Sequence, residues 1–327
     1  MKTLFLTASD VFALVHEEDA YDAVKEAFQA YARGRAQMPP KVYLDLPQYH
    51  GDFRAMPAYI EDLQACGLKW VNSHPENIKT GKLPAVMGVL ILSDPQTGFP
   101  LAIMDATIIT RLRTGAAGAL ASVFLARPNS KILALVGCGI QAESQFLAHI
   151  GKFTFPEVRV WGHEASLAKR FQEKMKKYHP AIVIHESIES CVSKADIICT
   201  TTPVRKPIVQ KEWISPGTHI NAIGADAKGK QELDVQIIQK GILVVDDIEQ
   251  SMHGGEINVG VSQGILAHED IHATLGEIMA GLKKGRNSPS DITVFDSTGL
   301  AIQDMALGKR AYTKALEKKA GLFLDFI

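Results

Sequence analysis

The sequence predicts an α/β protein, a Rossmann-type doubly wound parallel sheet joined to an α+β domain. Three observations predict it. From residue 127 onward, β-branched runs alternate with helical stretches. A glycine loop, Gly137-Cys138-Gly139-Ile140-Gln141-Ala142, stands between the first of those runs and the helix after it. Ahead of them, apolar runs separated by turn signals follow two helices, a pattern of antiparallel strands.

Taken in order, Thr7-Ala-Ser-Asp10 has the form of a capping box at a helix start. A second helix places Ala20, Val24, Ala27, Phe28 and Tyr31 on one face and stops at Gly34. The strand-like runs KVYLDLP, DFRAMPAYI, GLKWVNSH, PAVMGVLILSD and PLAIMDA follow, with DPQTGFP as a hairpin connection between the last two. Residues 106–126 then read as a helix rich in Ala and Leu, and Arg127-Pro128-Asn129-Ser130 punctuates it. We place a domain boundary there. Residues 127–299 form the alternating domain, with strands at 131–136, 157–161, 181–186, 196–201, 219–224, 242–247 and 291–296. The closing helix, from about Leu300 to Lys318, returns to the first domain, which comprises residues 1–126 and 300–327.

Composition excludes several functions. The 327 residues suffice for about two domains with their own cores. At 46% hydrophobic the chain is too apolar for disorder. A net charge of −1 gives no attraction to phosphate backbones or anionic membranes, so neither nucleic acid nor membrane is an expected partner. The 4 cysteines form no CxxC pair, which suits a reducing cytoplasm. Asp10 interrupts the first apolar run too early for a signal peptide, and no run approaches the length of a membrane span.

The glycine loop follows a strand and opens a helix, the setting that a dinucleotide fingerprint requires. Gly137 permits the tight turn, Gly139 lets a pyrophosphate approach the backbone, and Ala142 keeps helix and strand close. An acid for the adenosine ribose is expected at the end of the second strand, but Val160-Trp161-Gly162-His163-Glu164 carries Gly162 there. A 2′-phosphate then meets no like charge, and His163, Lys169 or Arg170 is available to contact it. This favours NADP over NAD, although Glu164 remains able to take the acidic role. The stretch His268-Glu269-Asp270-Ile271-His272 matches HExxH, the zinc motif that needs both imidazoles on one helical face. The regular helix begins only near Asp270 or Ala273, so we assign no metal.

Other polar residues stand out by their surroundings. Lys69 lies within GLKWV, where a core ammonium is expensive. Arg113 sits among the small residues of RLRTGAAGA, where a ligand could come close. Asp226 follows HINAIGA, and Ser297 and Thr298 follow DITVFD, at the carboxyl edge where open α/β sheets bind ligands. His253-Gly-Gly-Glu256 reads as a turn.

Together, PPKVYLDL, FRAMPA, GLKWVNSHP, LRTGAAG, VGCGIQA, CTTTP, NAIGADAKGKQEL, HGGEINV and FDSTGLAIQD resemble the ornithine cyclodeaminase/mu-crystallin family, most of all its archaeal-type alanine dehydrogenase branch. The resemblance implies a homodimer that acts on a small amino acid or oxo acid with NAD or NADP. It implies that the first domain binds substrate and forms the subunit interface. Lys41 and Lys69 become substrate contacts, Arg113 and Thr114 face substrate and cofactor, and Thr298 touches substrate. Ile140, Gln141, Thr202, Lys230 and Ser297 become cofactor contacts. Ile223, Gly224, Ala225 and Asp226 line the nicotinamide side, with Asp226 as acid/base. Arg54 stands where cyclodeaminases carry Glu, and Ala85 where they carry Thr near the nicotinamide. A cation at Arg54 repels the δ-ammonium of ornithine, so the implied reaction is alanine oxidation to pyruvate and ammonia. Proline formation from ornithine is the alternative, with cyclic ketimine reduction and silent NADPH binding behind it.

Overall fold

A computed structural model describes residues 2–77 and 81–325. The chain divides into two compact units, Met1–Arg113 with Leu300–Ile327, and Thr114–Gly299. The division falls inside a helix, ahead of the Arg127-Pro128 punctuation.

The first unit holds β1 (Lys2–Leu6), α1 (Ala8–Leu14), α2 (Glu17–Ala32), β2 (Ala36–Gln37), β3 (Val42–Leu46), β4 (Gly51–Ile60), β5 (Ala65–Ser73), β6 (Gly88–Ser93) and β7 (Pro100–Asp105). The Thr7–Asp10 capping box starts α1 as expected, and Gly34 follows α2 with a positive φ of 71°. The strands form one sheet in the order β16-β1-β7-β6-β5-β4-β2, with β3 on β4 and β16 spanning Leu322–Asp325. Sequence reading had no strand at either terminus. The two terminal strands pair with each other across nearly the whole chain, Leu4 opposite Phe323, and β1 also pairs with β7, Leu4 opposite Ala102. Opposite residues in neighbouring strands share a face, so Met56–Lys69–Leu90–Met104 form one row across the sheet. Arg54, two residues before Met56, points to the same buried face. The helix α11 (Ala301–Lys318) covers that face, with Gly308 lying against the Leu90 side chain.

Helix α3 (Thr107–Leu125) runs from the first unit into the second. It corrects one expectation: at 19 residues and mean hydropathy 1.3 it is long and apolar enough to span a membrane by length and composition. However, 78% of it is buried inside the protein, so its apolar surface belongs to the core.

The second unit contains β8 (Ile132–Val136), α4 (Ile140–Ile150), β9 (Glu157–Trp161), α5 (Ala165–Met175), β10 (Ile182–Ile184), α6 (Ile188–Val192), β11 (Ile197–Thr200) and β12 (His219–Ala222). It continues with α7 (Val235–Lys240), β13 (Ile242–Val245), α8 (Ile248–Gly254), α9 (Asn258–Ser262), β14 (Ile271–Thr274), α10 (Leu275–Met279) and β15 (Thr293–Asp296). The strand order is β10-β9-β8-β11-β12-β15-β13-β14, and every pairing is parallel. The order reverses between β8 and β11, the topological switch point of a doubly wound sheet. The expected helix near Asp270 or Ala273 is corrected: His268–Asp270 is a single 3-10 turn and β14 follows it. The two imidazoles of the HExxH match therefore share no helical face, and His272 Nε2 lies 2.7 Å from the Lys284 carbonyl oxygen.

Candidate functional site

The predicted residues fall into two groups, one in each unit. In the second unit, Gly137 leaves β8 at φ 115°, and a Cβ there would stand 2.4 Å from Thr201 Oγ1. Gly139 caps α4 with no side-chain hydrogen bond, and a Cβ there would meet nothing within 4 Å. The strand-to-helix turn therefore presents open backbone at the positive end of a helix, beside the switch point. Ile140 is exposed at the first helical position, while the buried Gln141 Oε1 has no hydrogen-bond partner. An orphaned buried acceptor and an open glycine cradle fit a dinucleotide that brings donors and phosphates. Gly162 follows β9, and its Cβ would lie 2.6 Å from Cys138 Sγ. A glycine is thus favoured at that position by the cysteine of the loop as well as by any ligand. His163 and Glu164 are both exposed there.

The ends of β11 and β12 are tied together by a carboxylate that sequence reasoning missed. Glu232 is fully buried and accepts from Thr200 Oγ1 at 2.7 Å, Thr202 N at 2.6 Å, Thr202 Oγ1 at 2.7 Å and Gly224 N at 2.8 Å. Behind it, Glu256 accepts from the Glu232 and Leu233 N–H groups, and Asp296 accepts from the Glu256 N–H. Burial, then the Glu232 charge, hold the Glu256 carboxyl well above the usual range. His253-Gly-Gly-Glu256, read as a mere turn, therefore carries a buried support of the edge. Gly224 is obligatory, since a Cβ would lie 2.1 Å from the Thr202 carbonyl oxygen. Ile223 and Ala225 are buried in the same loop, and Asp226 leaves it partly exposed, with Oδ1 2.5 Å from Lys230 Nζ. Ser297 N donates to the Ala222 carbonyl, while Thr298 donates through N and Oγ1 to Asp246 at 2.7 and 3.0 Å. Thr114 is buried, and its carbonyl accepts from Gln145 Nε2 at 2.8 Å. The small residues after it do not open space for a ligand. A Cβ at Gly115 would lie 2.5 Å from Ser144 Oγ, and one at Gly118 2.0 Å from Gln145 Oε1, so they allow α3 to press against α4.

In the first unit the cations gather around another missed acid. Lys69 is completely buried, with Nζ 2.7 Å from Asp304 Oδ2 and 3.3 Å from Thr110 Oγ1. Arg113 places Nε 3.2 Å from Asp304 Oδ1 and donates from Nη1 to Gln303 Oε1 at 3.0 Å. Burial pushes the Lys69 ammonium down to about 7, against the attraction of Asp304 and with repulsion from Arg113 and Lys41. Arg54 shares the Lys69 face, but it is not a bare cation. Asp52 takes it in a fork, Nε at 2.8 Å and Nη2 at 3.2 Å, and the Tyr43 ring lies beside it. The expected repulsion of a substrate ammonium is therefore offset at its source. A cavity of about 580 Å³ opens on the opposite face of this sheet, lined by Phe53, Trp70, Asn72, His74, Met87 and Val89, and holds none of the predicted residues.

The sequence model of the ornithine cyclodeaminase/mu-crystallin family matches residues 1–319. The alanine dehydrogenase of Archaeoglobus fulgidus is 52% identical over 326 residues, covering 100% of this chain and 99% of that protein. A solved archaeal alanine dehydrogenase dimer with bound NAD superposes with a TM-score of 0.96 at 51% identity, covering 100% of both chains. The Thermococcus litoralis Δ1-pyrroline-2-carboxylate reductase, solved with NADH and L-proline, gives 0.95 at 38% identity, over 98% of this chain and 99% of its own.

Proposed function

The chain belongs to the ornithine cyclodeaminase/mu-crystallin family, and on that premise we propose that it is a nicotinamide-dependent alanine dehydrogenase, converting L-alanine to pyruvate and ammonia and back. The observation that carries this is the 52% identity to an alanine dehydrogenase over the full length of both chains. The first unit then supplies Lys41, Lys69 and Arg113 to the substrate, and the second supplies the cofactor contacts together with Asp226 and Thr298.

A bound nicotinamide would supply the redox step, exchanging two electrons and a proton with the substrate α-carbon. The dinucleotide would be held by Gly137, Gly139, Ile140 and Gln141 at the glycine turn, by Gly162 and His163 after β9, by Thr202, and by Lys230 and Ser297. Lys69, Arg113 and Lys41 would fix the α-carboxylate and polarise the carbonyl or imine. Asp226 would take the amine proton and activate water on the imine, with Lys230 holding its carboxylate. Thr298 would touch substrate with an oxygen already oriented by Asp246.

The finer assignments belong to the same reading. Without a carboxylate at Gly162, NADPH serves at least as well as NADH. The chain works as a cytoplasmic homodimer, paired through the sheet face where Val42, Leu44, Trp70 and Val89 are exposed. Its partners are small molecules. Incubation with L-alanine and either oxidised cofactor should raise the absorbance of the reduced nicotinamide in proportion to ammonia released. Efficient conversion of ornithine to proline and ammonia, with no such change, would overturn the assignment. Cyclic ketimine reduction is the second reading, favoured by the 38% identity to the Thermococcus litoralis reductase. It is separated by offering Δ1-pyrroline-2-carboxylate and pyruvate with ammonia as competing substrates.

A further inference from the structure

We propose that Asp304 is the positioning residue of the substrate cations, its two carboxylate oxygens setting where the Lys69 ammonium and the Arg113 guanidinium stand. The proposal rests on the dehydrogenase reading for the identity of the substrate, and on geometry alone for the rest. The three side chains come from β5, α3 and α11, elements far apart in sequence. Asp304 engages one cation with each oxygen, at 2.7 and 3.2 Å. It is fully buried in the first turn of α11. Gln303 beside it completes the grip on Arg113 while accepting from the Leu300 N–H at 3.2 Å.

Charge arithmetic gives this arrangement a purpose. The groups facing Lys69 are Asp304 from α11, Arg113 and Thr110 from α3, and Lys41 from the segment before β3. Among the described residues, Lys69 thus meets one carboxylate and two further cations. The excess positive charge suits a monocarboxylate ligand, while the single anion keeps a buried lysine able to hold its proton. A second carboxylate would reduce that excess and weaken the cluster as an anion site. Without Asp304, Lys69 would lose both its orientation and its proton.

The test compares Asp304→Asn and Asp304→Glu with the wild type. The Lys69 side chain is titrated by NMR with ¹³Cε-labelled lysine, its signal assigned through Lys69→Met, and reduced-cofactor binding is followed by fluorescence. In Asp304→Asn the Lys69 titration should move down by about one pH unit or more. KM for pyruvate at neutral pH should rise about tenfold or more while cofactor affinity holds. The limb of the pH–rate profile that falls with rising pH should move with the titration. Asp304→Glu keeps the charge but lengthens the arm, so the Lys69 titration should recover while KM stays raised. An unchanged titration in Asp304→Asn, or a normal KM in Asp304→Glu, would overturn the proposal. If the asparagine variant does not fold, the glutamate variant alone decides through its KM. If the wild type turns over no amino or oxo acid, the dehydrogenase reading fails, and the Lys69 titration still decides the role of Asp304.

Discussion

In the proposed reaction, Asp226 and Gly162 are the residues on which the chemistry and the cofactor choice turn. Asp226 lies just past the carboxyl end of β12 and is paired with Lys230, so its carboxylate is oriented yet still partly exposed. Asparagine keeps the shape and removes the base. Asp226→Asn should therefore lower kcat by roughly 10²–10⁴ while cofactor binding, read by fluorescence titration, stays close to wild type. Near-normal turnover would reduce Asp226 to a loop cap. At Gly162 a side chain meets Cys138 Sγ, so an added acid needs that sulfur cleared first. In Cys138→Ala/Gly162→Asp, kcat/KM should shift toward NADH, because a carboxylate repels a 2′-phosphate and accepts from a ribose hydroxyl. An unchanged ratio relative to Cys138→Ala would mean that Gly162 does not face the adenosine ribose.

At the scale of the element, the strand-to-helix turn before α4 contains a contrast between its two glycines. Gly137 has φ 115° and lies against Thr201, whereas Gly139 has φ −84° and open space around its missing Cβ. Gly137→Ala should lower the melting temperature and weaken cofactor binding together, through backbone strain and collision. Gly139→Ala should leave the melting temperature unchanged and weaken the cofactor alone, since its methyl occupies only the space a pyrophosphate would use. A melting temperature lowered equally in both would show that the turn is tight for packing and not for a ligand. Much of this level was legible in the sequence: the β-branched runs, the capping box and the glycine turn are local patterns that local physics decides. Asp304 and Glu232 were not legible in the same way. Their partners, Lys69 and Arg113 for one and Thr200, Thr202 and Gly224 for the other, are fixed by tertiary pairing and not by neighbours in sequence. The available signal was an acid in a helix turn that otherwise buries Ile302 and Met305. The small residues of α3 misled in the opposite direction, because space for a ligand and space for a second helix call for the same side chains.

For the molecule as a whole, acid stability follows from two histidines buried in the second unit. His149 Nδ1 lies 2.7 Å from the Gln145 carbonyl oxygen, so it donates there, and Nε2 is left to accept from Ser122 Oγ at 2.8 Å. Asn221 continues the chain, donating from Nδ2 to Ser122 Oγ at 2.8 Å and accepting at Oδ1 from His219 Nε2 at 3.1 Å. Burial pushes His149 down to about 4 and His219 to about 3, so the folded state keeps both neutral. The unfolded chain takes up these protons near pH 6.5. Stability is therefore fully present above about pH 6.5 and is lost as pH falls toward about 4 and 3. Each unit of difference is worth about 1.4 kcal/mol, so the pair costs several kcal/mol against a typical total of about 5–15. Glu232 and Glu256 act with the opposite sign, because burial raises them and falling pH relieves their charge. Asp19, where burial is outweighed by Lys314 and the His16 N–H, and Asp10, held low by Thr7, lose their contribution as pH falls below the usual aspartate value of 3.8, at the acid end of this range. Comparing wild type with His149→Gln isolates the histidine, since the amide can still donate and accept but binds no proton. Urea unfolding between pH 7 and pH 4.5 should show the variant losing stability less steeply, by about one proton or 1.4 kcal/mol per pH unit below 6.5. Parallel curves for the two proteins would mean that His149 is protonated in the fold, and that the Ser122–Asn221 chain does not keep it neutral.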